Sequence, residues 1–261
     1  MTHVPTHAVA GRDDPALLLL HGLGGAWKVW ESTIARFAPN HRTVAWTMPG
    51  YADSPPLLEM TWPALAGAGV DLLDLLEIER AVVVGHSFGG MVAQEMALRH
   101  ADRVAGLVLV GTAAVFGGGS PDFVQRYLAD RLAPLDAGRT PADLAPATID
   151  ALVAVPLTPA DRERAVTAMA AISPDAYRAA LACLVSWDRR ERLADITAPT
   201  LVVVGDRDPI APPKTSQPLS DGIPGAELVV LPGVGHLVNL EAADVFHDTL
   251  EGWLANRIER A

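Results

Sequence analysis

A chain of 261 residues suits one large α/β domain or a core domain carrying an insertion, and half of its residues are hydrophobic, enough to bury a sheet on both faces. Its formal net charge of −11 repels phosphate backbones, and no run of Lys and Arg reverses that sign locally, so nucleic acid is excluded as a partner. A single cysteine, Cys183, rules out a disulfide framework within the chain and fits a reducing compartment.

The first fifteen residues carry His3, His7, Arg12, Asp13 and Asp14 and no apolar run, which does not read as a signal peptide. The longest charge-free apolar stretch, 104–119, is too short to span a bilayer and turns glycine-rich. The expectation is a soluble cytoplasmic protein with no membrane partner.

Short apolar runs alternate with helical spacing from Leu17 onward, the pattern of βαβ units and a mostly parallel, doubly wound sheet. Leu17 to Leu20 reads as a buried strand, 27–37 as a helix with Trp27, Trp30, Ile34 and Phe37 on one face, and 42–46 as a strand. A helix over 61–76 follows, then strand 81–85, helix 90–99 and strand 104–110. Strands at 200–205 and 226–231 and a helix over 241–258 close the chain.

Between Thr112 and Asp195 the alternation stops. The stretch is helical in pattern, with expected breaks at Pro121, Pro134, Pro141, Pro146, Pro156, Pro159 and Pro174 and no convincing strand. It reads as a helical cap, residues 112–195, inserted between the strand ending near Val110 and the strand starting near Thr200. Residues 1–111 and 196–261 then form the core. Helices packed on the side of the sheet are the alternative.

The chemistry centres on Gly85-His86-Ser87-Phe88-Gly89. Gly-x-Ser-x-Gly is a short pattern, but here it follows an all-apolar strand and precedes a helix, the setting that presents a nucleophilic serine at a strained turn. A serine hydroxyl needs a base to take its proton. Of the eight histidines, His236 is singled out because the loop Gly233-Val234-Gly235-His236 follows the last strand and reaches the same sheet edge. His247, inside the final helix, reads as a surface or satisfied histidine, and His21 and His86 read as loop-holding residues.

The imidazole in turn needs an acid. Gly205-Asp206-Arg207-Asp208-Pro209 supplies two aspartates, and Asp208 is preferred, with Asp206 the competitor. No acid follows Val110 in Gly111, Thr112 and Ala113. The oxyanion hole is expected from the backbone amides of Phe88 and Leu23, the latter in His21-Gly22-Leu23-Gly24. Trp187, Tyr127 and Phe123 are candidate substrate-binding residues of the cap, although helical spacing makes such side chains ordinary packing as well. Arg126 and Arg131 are candidates for an acidic substrate group, or simply solvated. Cys183 reads as a buried structural thiol. No glycine-rich nucleotide loop follows a strand and no His or Cys pair has metal spacing, so no cofactor and no metal are implied.

Together with Met48-Pro49-Gly50-Tyr51-Ala52-Asp53-Ser54, these motifs resemble the α/β-hydrolase superfamily from Ala16 to the C-terminal helix. The stretches Ile196 to Leu201 and Gly235 to Glu241 look like the small cap-bearing serine hydrolases, among them 3-oxoadipate enol-lactonases, carboxylesterases and cofactor-free haloperoxidases. The resemblance implies the α/β-hydrolase fold and cleavage of a carboxylic ester or lactone of a small molecule through Ser87, His236 and Asp208. Carbon–carbon hydrolysis and cofactor-free perhydrolysis stay open, because those relatives keep the serine. Haloalkane dehalogenases and epoxide hydrolases carry aspartate at that position and are disfavoured. A non-catalytic ligand-binding protein on the same scaffold is the reading outside enzymes. The chain departs from its relatives at Thr47, usually aspartate, and at Ala52, usually glycine, which implies altered loop packing. Only Thr6 to Ala10 is left to supply the usual first hairpin, so the first strand is expected to be shortened or missing, with a sheet edge exposed.

Overall fold

The computed structural model describes residues 4–258, so His3 lies outside the described residues. From the N-terminus, β1 (His7–Ala10) and β2 (Ala16–Leu20) lead through a short 3₁₀ segment, Trp27–Trp30, into α1 (Glu31–Phe37). There follow β3 (Thr43–Trp46), α2 (Trp62–Leu75), β4 (Ala81–His86), α3 (Phe88–Arg99) and β5 (Val104–Val110). Four helices come next: α4 (Pro121–Asp136), α5 (Pro141–Leu152), α6 (Pro159–Ala170) and α7 (Pro174–Val185). The chain closes with β6 (Thr200–Gly205), α8 (Pro213–Gly222), β7 (Glu227–Leu231), the single turn α9 (Val238–Glu241) and α10 (Ala243–Arg257).

One seven-stranded sheet runs in the order β1-β3-β2-β4-β5-β6-β7, antiparallel only where β1 meets β3. The first strand is therefore shortened but present, pairing His7 with Trp46 through to Ala10 with Thr43. The alternation of a pleated strand explains why β2 is four leucines in a row. Leu18 and Leu20 join the core with Leu72 of α2 and Met96 of α3, while Leu17 and Leu19 join Phe37 of α1 and Phe246 of α10 on the other face.

The helical insertion falls where the alternation stopped, but its prolines act differently from the expectation. Pro121, Pro141, Pro159 and Pro174 open helices, each after a Ser or Thr whose hydroxyl accepts the amide three residues on. At that first position a missing N–H costs nothing, so these prolines start helices instead of breaking them. Pro134 and Pro146 lie within α4 and α5. The expected helix over 241–258 is α10, which starts two residues later, after a break at Ala242 that separates it from the single turn α9.

The insertion makes contacts with loops of the core. Met169 of α6 lies over Gly24, and the carbonyl of Leu152, at the end of α5, accepts the backbone N–H of His236 at 2.9 Å. Its far end is tied to α3, where the buried carboxylate of Glu95 accepts Arg189 Nε at 2.7 Å and Arg99. Among the described residues no single helix is long and apolar enough to cross a membrane.

Candidate active site

Ser87 joins β4 to α3 with φ 52° and ψ −116°, a conformation that costs a non-glycine residue energy unless its surroundings over-determine it. Here the Ser87 N–H donates to Val110 O at 2.8 Å, and Thr112 Oγ1 donates to Ser87 O at 2.8 Å. The flanking glycines are forced by crowding. A Cβ on Gly85 would lie 2.3 Å from Gly89 O, and one on Gly89 2.2 Å from Leu20 O.

The turn aims the Ser87 hydroxyl at the loop after β7. Ser87 Oγ donates to His236 Nε2 at 3.0 Å, and His236 Nδ1 donates to Asp208 Oδ2 at 2.7 Å. The other oxygen, Oδ1, accepts the amides of Ile210 at 2.7 Å and Ala211 at 2.8 Å, so the carboxylate is fixed at both ends. Burial pushes the Asp208 carboxyl up, but His236 and these two amides outweigh it and hold the group below its ordinary value. Asp206 turns away and accepts Gly233 N–H at 2.6 Å, bracing a loop. Gly111 contributes space in place of an acid, since a Cβ there would stand 3.3 Å from Asp208 Oδ2 and 3.4 Å from His236 Nδ1.

Two other histidines adjoin the site and stay neutral. His21 Nδ1 donates to Gly22 O at 2.8 Å while its Nε2 accepts Met48 N–H at 2.9 Å, and burial lowers it from 6.5 to about 4. His86 Nε2 donates to His236 O at 2.8 Å, and burial, with His236 adding to it, lowers it to about 3. His247 is buried, its Nε2 paired with Thr33 Oγ1 at 3.0 Å.

Two amides, those of Phe88 and Leu23, are the ones expected to form an oxyanion site. Phe88 N–H opens α3 and has no partner within the helix, and its position at the positive end of the helix dipole favours negative charge. Gly22, the residue before Leu23, comes so close that a Cβ on it would lie 3.0 Å from Ser87 Cβ. Neither the Phe88 nor the Leu23 amide is spent on another hydrogen bond among the described residues.

The candidate substrate residues divide. Trp187 is 1% exposed, with Nε1 donating to Ala113 O at 3.0 Å, Trp62 against its ring at 4.6 Å and the Arg189 guanidinium at 4.6 Å. It is a packing residue and presents no face to a ligand, a correction to the sequence reading. Its neighbour Trp62 stands 4.8 Å, ring to ring, from Phe88. Phe123 and Tyr127 of α4 form an aromatic group with Phe116, and Arg131 lies over the Tyr127 ring at 4.8 Å. Tyr51 stacks on His21, with ring centroids 5.9 Å apart. Arg126 is exposed. Cys183 is buried, which pushes its thiol up to about 12 and leaves it unreactive. Among the described residues no group of three or more His, Cys, Asp or Glu is placed to hold a metal ion.

Residues 15–243 match the family model for the alpha/beta hydrolase fold. The chain belongs to the α/β-hydrolase family. This α/β-hydrolase is 33% identical over 264 residues to a protein of Variovorax paradoxus named as the carbamate hydrolase RutD, covering 97% of this chain and 96% of the relative. It is 31% identical to the 2-hydroxymuconate semialdehyde hydrolase of a Pseudomonas species, over 92% and 86% of the two chains. The solved enol-lactonase of Burkholderia xenovorans LB400 superposes with a TM-score of 0.81 at 27% identity, covering 96% of each chain. These relatives are hydrolases, and the α/β-hydrolase described here is one of them by family.

Thr112, Leu152 and Glu241 touch the site's backbone; the first two carry no motif that marks them in the sequence, and Glu241 closes the stretch Gly235 to Glu241 without its role being readable there. Each contributes through a contact with a segment distant along the chain, which periodicity and spacing do not register.

Proposed function

We propose that this α/β-hydrolase cleaves a carboxylic ester or lactone of a small molecule by two acyl transfers. The observation that carries the reading is the unbroken hydrogen-bonded line from Ser87 Oγ through His236 to Asp208, at 3.0 and 2.7 Å, beginning at a strained turn followed by the unspent Phe88 amide. Ser87 Oγ attacks the carbonyl carbon as its proton passes to His236 Nε2. The amides of Phe88 and Leu23 bind the oxyanion, and Asp208 stabilises the imidazolium. The leaving oxygen takes that proton, the acyl group stays on Ser87, and a water deprotonated by His236 releases the acid and restores the serine. Phe123 and Tyr127 line the apolar approach for the acyl portion. Support for the ester or lactone class comes from the enol-lactonase likeness.

Carbon–carbon hydrolysis is the second reading, favoured by the relative named 2-hydroxymuconate semialdehyde hydrolase. A screen over aryl esters, lactones, thioesters and vinylogous diketones separates the two. Ser87→Ala should abolish turnover of small aryl esters, by at least about 10³-fold, with the fold intact. Labelling of Ser87 by a fluorophosphonate supports the enzyme. A folded protein that takes no label and turns over nothing is a ligand binder, and turnover surviving in Ser87→Ala overturns the mechanism.

A further inference from the structure

The mechanism leaves unused a carboxylate five residues beyond His236. Glu241, at the end of α9, accepts four backbone N–H groups. Oε2 takes Ala154 at 2.8 Å, Gly235 at 2.9 Å and Val155 at 3.3 Å, and Oε1 takes Leu237 at 3.0 Å. Gly235 and Leu237 bracket His236, whereas Ala154 and Val155 lie in the turn between α5 and α6 of the insertion. The end of α5, just before that turn, holds His236 directly, its carbonyl at Leu152 accepting the His236 N–H at 2.9 Å. The approach is tight, since a Cβ on Gly235 would stand 2.5 Å from Ala154 N.

Bonds from amides to an ionised acceptor are among the stronger ones in proteins, and here one charged group serves two segments some 80 residues apart along the chain. A staple serving stability alone needs no particular partners. This one grips the residues on either side of the imidazole and ties them to the piece of the insertion that already binds His236.

We propose that Glu241 is a positioning residue for His236, locking the histidine loop to the helical insertion so that the imidazole lines up with Ser87 only while the insertion is seated. The proposal rests on His236 acting as the base. Glu241→Gln keeps the side chain's size but removes the charge and turns one acceptor oxygen into an NH₂ facing an N–H. Because Oε2 serves Ala154 and Val155 of one segment and Gly235 of the other, the grip on both weakens.

Turnover per site, counted by fluorophosphonate labelling, should fall about 10- to 100-fold in Glu241→Gln, with kcat changing more than KM and the thermal midpoint within a few degrees of wild type. Hydrogen exchange of the Ala154, Val155, Gly235 and Leu237 amides should quicken together in the same variant. Glu241→Asp, which keeps the charge but withdraws it by one methylene, should lie between the two and serves as the test if the glutamine variant does not fold. Wild-type kcat per labelled site in the variants overturns the proposal, as does exchange that quickens on one segment only. The exchange measurement needs no turnover. Activity surviving in His236→Ala therefore brings down the functional reading, and independent exchange of the two segments brings down the coupling alone.

Discussion

The His86 imidazole donates Nε2–H to the backbone carbonyl of His236 at 2.8 Å, so the residue before the serine holds the loop that carries the histidine. The bond crosses from the strand–helix turn to the loop after β7 and fixes the separation of the two reacting side chains from beneath. His86→Phe keeps a ring in the space and removes the donor, leaving a buried carbonyl unpaired. Its kcat/KM for a small aryl ester should drop about 10-fold, with a stability loss of about 1–3 kcal/mol. His86→Gln, whose amide nitrogen reaches the same carbonyl, should recover most of both. If Phe and Gln behave alike, the bond does not position the loop.

The two aspartates after β6 can be told apart by their partners. Asp208 faces His236 at 2.7 Å, while Asp206 faces the Gly233 amide at 2.6 Å. Asp208→Asn presents an amide to Nδ1, losing the charge and favouring the wrong tautomer, and kcat should fall about 10³- to 10⁴-fold. Asp206→Asn keeps an oxygen for Gly233 and should change kcat less than about 3-fold. Equal losses in the pair would refute the assignment of Asp208.

Much of this site was legible because its parts sit at strand ends. Val82 to Val84 and Leu201 to Val204 are apolar on both faces, and the residues that follow them must emerge at one edge of a parallel sheet. That logic places Ser87, Asp208 and His236 together without any contact being known. It fails for the insertion, where a helix buries one stripe against partners that sequence does not name. Trp187 illustrates the failure: an aromatic in a cap suits a pocket or a core equally, and only its bond to Ala113 O and the rings around it decide. The role of Glu241 was illegible for a different reason. Its partners are backbone amides, which every residue but proline carries.

The neutral histidines make stability depend on pH. Native His21 and His86 bind no proton until about pH 4 and about pH 3, because burial lowers both from 6.5, whereas in the unfolded chain they titrate near 6.5. Between those values the unfolded state holds more protons. Their contribution is complete above pH 6.5 and is lost as pH falls from 6.5 towards 4. Each such proton is worth about 1.4 kcal/mol per pH unit, so the pair removes up to about 3 kcal/mol per unit. Asp208, held low, acts in a lower window: its stabilisation persists above the unfolded value of 3.8 and disappears as pH falls through its native value. Urea unfolding at about pH 7 and about pH 5.5 should show the midpoint falling on acidification. An unchanged midpoint would mean that these imidazoles are protonated in the native protein.

Ala52 occupies φ +47° in the loop after β3, at an exposed position where a β-carbon has no packing to offset its strain. The left-handed region costs a residue with a side chain about 1–2 kcal/mol, and glycine at the same place gives back part of that through the greater freedom of its unfolded chain. Ala52→Gly should therefore stabilise the protein by about 0.5–1 kcal/mol, a rise of about 2 °C in thermal midpoint for a chain of this size. The neighbouring anchors of the loop, Ser54 Oγ donating to Thr47 O at 2.8 Å and Thr47 Oγ1 accepting Trp27 N–H at 3.4 Å, do not involve the Ala52 methyl and are retained in the variant. Calorimetry decides it: a lower midpoint in Ala52→Gly would show that the alanine is favoured there by its effect on the unfolded chain and that the loop bears no strain worth relieving.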